Sequence, residues 1–327
     1  MLYGLLFIVV CLASYGLARI APRLKLLALP GAHRKHKEAT PMVGGIAIYV
    51  GFLVGWILFE VPSTELLICL SLICFVGVLD DRYSLPSWLR FLAQGIVTYL
   101  MIKLTGVQLN SLGILFTSEE LRLGAWSIAM TIFATIGVIN AVNMSDGLDG
   151  LAGSLVLLVL IALLCINRID VSLILVSVFS VTGFLFWNLN VGRSRASIFM
   201  GDAGSTMLGF LLAYLLIKSS QMPASIQPVT ALWLLALPLV DAVAVLLVRP
   251  LRGKSPFKAD RMHYHHQLLD KKLAVNQVLV VALFIQALLI GLGLFLLNGN
   301  VSENGQLIAF LLLFFIYVVR LFKFSAK

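Results

Sequence analysis

Uninterrupted apolar runs recur from one end of the chain to the other, beginning with “MLYGLLFIVVCLASYGLA”. Crossing bilayer hydrocarbon as a helix takes roughly 17–25 mostly apolar residues, and the runs have that length. Spans are expected near 2–20, 43–59, 64–79, 88–104, 124–140, 151–167, 171–187, 206–218, 229–248, 275–297 and 306–322. The eighth is short and would have to extend or tilt. The composition agrees: 60% of residues are hydrophobic and only 12% charged, where soluble domains carry about 25%. The expectation is an all-α polytopic integral membrane protein of roughly eleven transmembrane helices, one membrane-embedded domain over 1–327.

The first run has no basic residue before Arg19 and no small-x-small cleavage pattern, so it reads as an uncleaved span rather than a signal peptide. Cys11, Cys69, Cys74 and Cys165 all lie inside apolar runs, where a lone thiol packs as a small hydrophobe. No metal-type cysteine spacing competes with that reading.

Charge supplies the orientation. Twenty of the 24 Lys and Arg fall in loops 19–42, 80–90, 140–151, 188–205 and 249–274 and in the tail from 320. The opposite set holds only Lys103, Arg122, Arg168 and Lys218. Cytoplasmic loops concentrate basic residues, so the first set is read as cytoplasmic, with the N-terminus periplasmic or extracellular and the C-terminus inside. The net charge of +9 thereby has a topological cause, and nucleic acid is not an expected partner.

The acids gather on the same side. Asp80 and Asp81 stand in “GVLDDRYSLP”, Asp146 and Asp149 in “NAVNMSDGLDGLAGS”, and Asp202 in “FMGDAGS”. A single one of them could be a solvated carboxylate or a helix cap. Five at the ends of spans would repel one another unless a cation or strong donors lay between them. A divalent oxygen-seeking ion such as Mg2+ fits such ligands and leaves positions for substrate phosphates. Asp146 and Asp149 share a face if a helix starts there, and the amides of “GDAGS” ahead of an apolar helix suit a phosphate. His263, His265 and His266 lie among Arg249, Arg252, Lys254, Lys258 and Arg261. They read first as phosphate donors; a structural polar contact and zinc ligation are the alternatives, the latter without an HExxH pattern. These residues describe a cavity facing one compartment, which takes an anionic phosphate compound and a partner dissolved in the membrane.

On these motifs, with “TPMVGG” at 40–45, “GVLDDR” at 77–82 and “RGKSPFKADRMHYHHQLL” at 252–269, the chain resembles the polyprenyl-phosphate N-acetylhexosamine-1-phosphate transferases (glycosyltransferase family 4). It is most similar to the bacterial undecaprenyl-phosphate GlcNAc-1-phosphate branch, which starts O-antigen, enterobacterial common antigen or teichoic acid linkage units. The resemblance implies an Mg2+- or Mn2+-dependent reaction at the inner membrane: UDP-sugar plus undecaprenyl phosphate gives undecaprenyl-diphospho-sugar and UMP. By the same resemblance, Asp80, Asp81 and Asp202 match catalytic positions, and Asp146 and Asp202 match metal positions. Asn143, Asp149, Phe199, Arg252, Arg261, His263, His265 and His266 match the nucleotide-sugar side, with Phe199 able to stack on uracil, and Lys37 matches a lipid-phosphate contact. A homodimer is compatible with the resemblance. FucNAc, QuiNAc or GalNAc donors are alternatives to GlcNAc. Ser84 in place of a lysine, and “HYHH” in place of a histidine triplet, argue against a muramoyl-pentapeptide donor. The rival class is a secondary transporter, whose intramembrane acids would sit near the bilayer midplane rather than at helix ends.

Overall fold

The computed structural model describes residues 2–28, 39–61, 63–166, 170–189, 195–221, 226–255 and 261–324. Helices dominate: α1 Tyr3–Leu24, α2 Gly44–Phe59, α3 Thr64–Tyr83, α4 Ser87–Thr105, α5 Ser127–Met144, α6 Leu151–Ile166 and α7 Val171–Asn188 form the first part. They are followed by α8 Gly201–Gln221, α9 Pro228–Leu234, α10 Ala236–Leu251, α11 Tyr264–Asp270, α12 Val275–Asn298 and α13 Glu303–Phe324. The one sheet among the described residues is a two-residue antiparallel pair, β1 Leu27–Ala28 with β2 Thr40–Pro41. Six helical stretches are long and apolar enough to cross a membrane, those of α1, α5, α7, α8, α12 and α13, while α2 and α6 are apolar but 16 residues long. The protein is an all-helical, multi-pass membrane protein.

Every expected span falls on a helix or on the α9–α10 pair, with two departures. The eighth, expected over 206–218, runs over Gly201–Gln221, because the Gly and Asp of “GDAGS” form its first turn instead of a loop. The ninth, expected as one helix over 229–248, is broken at Leu235, and its halves meet at 86°. Pro238 lies in the first turn of α10, where its missing amide is least costly. The polar groups freed at the break are taken by one side chain. Gln286 of α12, fully buried, accepts from the Leu237 amide at 3.0 Å and donates to the Leu234 carbonyl at 2.6 Å. Hydrocarbon offers no water for such groups, so an internal partner is obligatory.

The core forms around α8. Of its apolar window 89% is buried, against 17% for α13, which makes α8 the central helix and α13 a peripheral one. Its neighbours approach through residues without side chains. A Cβ on Gly45 of α2 would overlap the Gly204 amide, and one on Gly77 of α3 would overlap the Ala203 backbone. These glycines, quoted above for their motifs, are thus also the contact points of the bundle. At the bundle end away from the acids, Tyr3 stacks on Phe59 at 3.8 Å and Lys218 pairs with Asp170 at 2.7 Å.

Candidate active site

The C-terminal ends of α3, α5 and α7 and the N-terminal ends of α2, α6 and α8 meet at one end of the bundle. A cavity of about 310 Å³ opens there, its wall including Asp81, Asn143, Asp146, Asp149, Phe199, Asp202 and His266. Three loops far apart in sequence are brought together. Phe199 is fixed by its backbone: its amide donates to the Pro41 carbonyl at 2.8 Å, and its carbonyl accepts from the Gly44 amide at 2.9 Å. “TPMVGG” and “FMGDAGS” are therefore one structural unit.

Asp81 sits at the last turn of α3 and reaches the first turn of α8. Its two oxygens accept from the amides of Asp202, at 2.8 Å, and Ala203, at 3.1 Å. The first amides of a helix have no partner within it, and Asp81 supplies one from another helix. The expected phosphate cradle at these two amides is accordingly occupied by a carboxylate of the protein itself. Gly201, at φ +72°, has no Cβ to collide with that carboxylate.

Asp80 is nearly buried at 5% exposure and is held on both oxygens, by the Leu85 amide at 2.8 Å and by Arg90 of α4 at 3.0 Å. It is not among the residues lining the cavity, and its charge bears on the Asp202 carboxylate. Asn143 donates to Asp202 Oδ1 at 2.5 Å and to Ser205 Oγ at 2.9 Å, fixing the Asp202 side chain across α5 and α8. Asp146 and Asp149 stand on a turn, since α6 begins at Leu151, so their shared exposure to the cavity comes from the turn and not from a helical face. Asp149 accepts from the Ala196 amide at 3.0 Å. Asn188 bridges the same segments, accepting from Gly150 and donating to Ile198 at 2.8 Å each.

The expected histidine group divides by role. His266 lines the cavity. His265 is 1% exposed and packs on Gly147, whose missing side chain makes room for the ring; in the “SDGLDG” turn this glycine admits a histidine of the same chain. Burial, with His266 and His263 adding to it, pushes the His265 imidazole down to about 3, so it is neutral at physiological pH. His263 is buried against Asp241 of α10 at 2.7 Å. Two expected contacts lie elsewhere: Arg252 donates to the Phe322 carbonyl and covers the Phe322 ring, and Arg261 pairs with Asp270 at 2.6 Å. Neither is among the residues lining the cavity: α13 engages Arg252, and the last residue of α11 engages Arg261. Lys37 lies outside the described residues.

Sequence reasoning passed over Arg90, Asn188 and Asp241. Arg90 was counted only for orientation. Asp241 carried the plainer signal, being a lone acid inside an apolar run, where an ionisable side chain requires a partner.

The carboxylates on the cavity wall are hard oxygen donors, the kind of ligand a divalent cation takes. Among the described residues no three His, Cys, Asp or Glu side chains form a complete cage. Asp81, Asp146, Asp149 and Asp202 all line the cavity; Asp81 and Asp149 accept backbone amides, and Asp202 accepts from Asn143.

Residues 63–220 match the glycosyl transferase family 4 profile. Relatives named undecaprenyl-phosphate alpha-N-acetylglucosaminyl 1-phosphate transferase are 34% identical. The one from Salmonella typhi aligns over 91% of this chain and 84% of its own. The one from Escherichia coli K12 aligns over 95% and 88%, and that from Haemophilus influenzae over 91% and 87%. The likeness extends over nearly the whole length of both partners and includes the three loops that build the cavity, and the chain belongs to glycosyl transferase family 4.

Proposed function

We propose that the protein transfers GlcNAc-1-phosphate from UDP-GlcNAc to undecaprenyl phosphate, giving undecaprenyl-diphospho-GlcNAc and UMP. The observation that carries this reading is the cavity itself. It combines four carboxylates, a histidine and an aromatic ring at one end of a membrane bundle, where a water-soluble anion and a lipid-borne one can meet. The relatives bear the name of this transfer. The reading includes eleven spans, with α9 and α10 as one broken span, and a cytoplasmic cavity in a bacterial inner membrane, as the distribution of Lys and Arg suggests.

The acceptor is a phosphate monoester with a second pKa of about 6, mostly dianionic at neutral pH, so it needs little help from a general base. The work is to bring two anions together and align them in line. Asp202 and Asp146 would hold Mg2+ or Mn2+, which supplies charge neutralisation at the diphosphate. Phe199 stacks on uracil, His266 donates to the diphosphate, and Asp80 with Arg90 sets the charge behind Asp202. Both oxygens of Asp80 and both of Asp81 are engaged, which favours direct attack by the lipid phosphate over a covalent aspartyl intermediate.

The test uses purified protein with undecaprenyl phosphate, Mg2+ and a panel of UDP-N-acetyl sugars. UMP release that depends on lipid, metal and UDP-GlcNAc supports the reading. Preference for a FucNAc, QuiNAc or GalNAc donor would replace the sugar and keep the reaction. Stoichiometric UMP release without lipid would overturn direct attack.

A further inference from the structure

Asp241 is a carboxylate at 4% exposure in the apolar helix α10. Two donors from the histidine segment converge on it. Oδ2 meets His263 Nδ1 at 2.7 Å, and Oδ1 accepts from the Tyr264 amide at 3.0 Å. Tyr317 of α13 adds a third donor, its hydroxyl, to Oδ1. His263 is the residue just before α11 and Tyr264 its first residue, so the carboxylate caps α11 from another helix while holding the ring that precedes it.

The other two rings have no comparable anchor. His265 Nδ1 and His266 Nδ1 are buried with no hydrogen-bond partner among the described residues. They are linked to His263 by contact: His263 stacks on His265 with centroids 5.7 Å apart and planes 7° from parallel, and His265 lies 4.3 Å from His266. The ring on the cavity wall is thus reached from Asp241 through two ring contacts. A carboxylate facing Nδ1 keeps the proton of a neutral imidazole on that nitrogen and leaves Nε2 as the acceptor.

We propose that Asp241 is a positioning residue for the transfer: it fixes His263 as the Nδ1-protonated tautomer and seats the His265 and His266 rings against the cavity. The inference rests on the transferase reading above and assigns Asp241 no contact with substrate.

The test compares wild type, Asp241→Asn and Lys218→Met as full-length proteins in detergent. In Asp241→Asn the amide oxygen still accepts from Tyr264 and Tyr317. Its NH2 then faces His263 Nδ1 and drives the proton to Nε2, leaving shape intact with the wrong tautomer. Nitrogen-15 NMR of the five histidines, with His263 identified by its loss in His263→Gln, is expected to show an Nδ1-protonated His263 in wild type and the other tautomer in Asp241→Asn. The kcat/KM for UDP-GlcNAc is expected to fall on the order of tenfold or more in Asp241→Asn. Lys218→Met breaks the distant pair with Asp170; it lowers the melting temperature and leaves kcat/KM within about twofold. A folded Asp241→Asn that keeps wild-type kcat/KM overturns the proposal, as does a wild-type His263 protonated on Nε2. If Asp241→Asn does not fold, the wild-type tautomer still decides. Absence of UMP release by wild type would instead strike the transferase reading, and the tautomer would be read independently of it.

Discussion

The Asp81 carboxylate, at the end of α3, accepts the backbone amide of Asp202, at the start of α8, at 2.8 Å. Two acids of two motifs are thus held together by one being the helix cap of the other. This separates their roles. Asp81 acts on the backbone and fixes where α8 begins, whereas Asp202 presents its side chain to the cavity.

That separation is measurable. Asp81→Asn turns an NH2 toward one of two amides that need an acceptor, so both stability and activity should fall, stability by about 1–2 kcal/mol as for loss of a helix cap. Asp202→Asn removes a charge that faces Asp80 and keeps a side chain of the same shape. UMP formation should be lost while the melting temperature holds or rises. Thermal unfolding in detergent, run beside the UMP assay, distinguishes the two. Equal destabilisation by both substitutions would mean that Asp202 is structural too.

Arg90 is the main counter-charge of Asp80. The acid is 5% exposed and the arginine 35%, so the pair is screened on one side only. Arg90→Met would leave a nearly buried carboxylate with one amide donor, at a cost of about 1–3 kcal/mol after allowance for solvent at the arginine. Activity should fall further than this loss of folded protein explains, because Asp80 then bears on Asp202 without its cation. Arg90→Lys should recover part of the activity. The comparison is kcat per folded molecule, with the folded fraction taken from size-exclusion chromatography.

Much of this architecture was legible because hydrocarbon imposes a length and a composition on each span. The acidic motifs were legible as well, since five aspartates at span ends need an explanation. What the sequence hid was which atoms of those residues remained available. “GDAGS” reads as an anion cradle until Asp81, some 120 positions earlier, is seen to occupy it. Nothing along the chain announces that Gly147 of “SDGLDG” makes room for His265. Both are long-range pairings, invisible to spacing along the chain. Arg252 and Arg261 illustrate the converse: a basic cluster in sequence need not converge in space, and these two are engaged by Phe322 and Asp270. The break at Leu235 was masked by its apolar neighbours, because hydropathy does not register a bend and Gln286 lies about fifty residues away.

Gln286 therefore offers a test of the broken helix. Gln286→Leu would leave the Leu237 amide and the Leu234 carbonyl unpartnered inside the protein, at about 1–3 kcal/mol for each group. Gln286→Glu keeps the acceptor for Leu237 and loses the donor to Leu234, and should cost less when protonated. Hydrogen exchange should rise at 234–237 in Gln286→Leu before it rises in α8. Protection there equal to wild type would show that the bend holds without the side chain.

His265 gives the pH dependence. Its imidazole has a folded value of about 3, against an ordinary value of 6.5, chiefly because burial disfavours the charged ring. The unfolded chain therefore binds a proton that the folded chain refuses throughout the interval between these values. Stability contributed by the neutral ring is complete above about 6.5 and is lost progressively as pH falls toward 3, since stability rises with pH wherever the unfolded state holds more protons. His265→Gln removes the titrating group from the space beside Gly147, so its melting temperature should fall less steeply on acidification than that of wild type, even if it starts lower at pH 8. Melting curves of the two proteins across this range decide the matter. Parallel acid limbs would mean that other groups carry the acid sensitivity; a flattened limb in His265→Gln would assign it to a ring that folding keeps neutral.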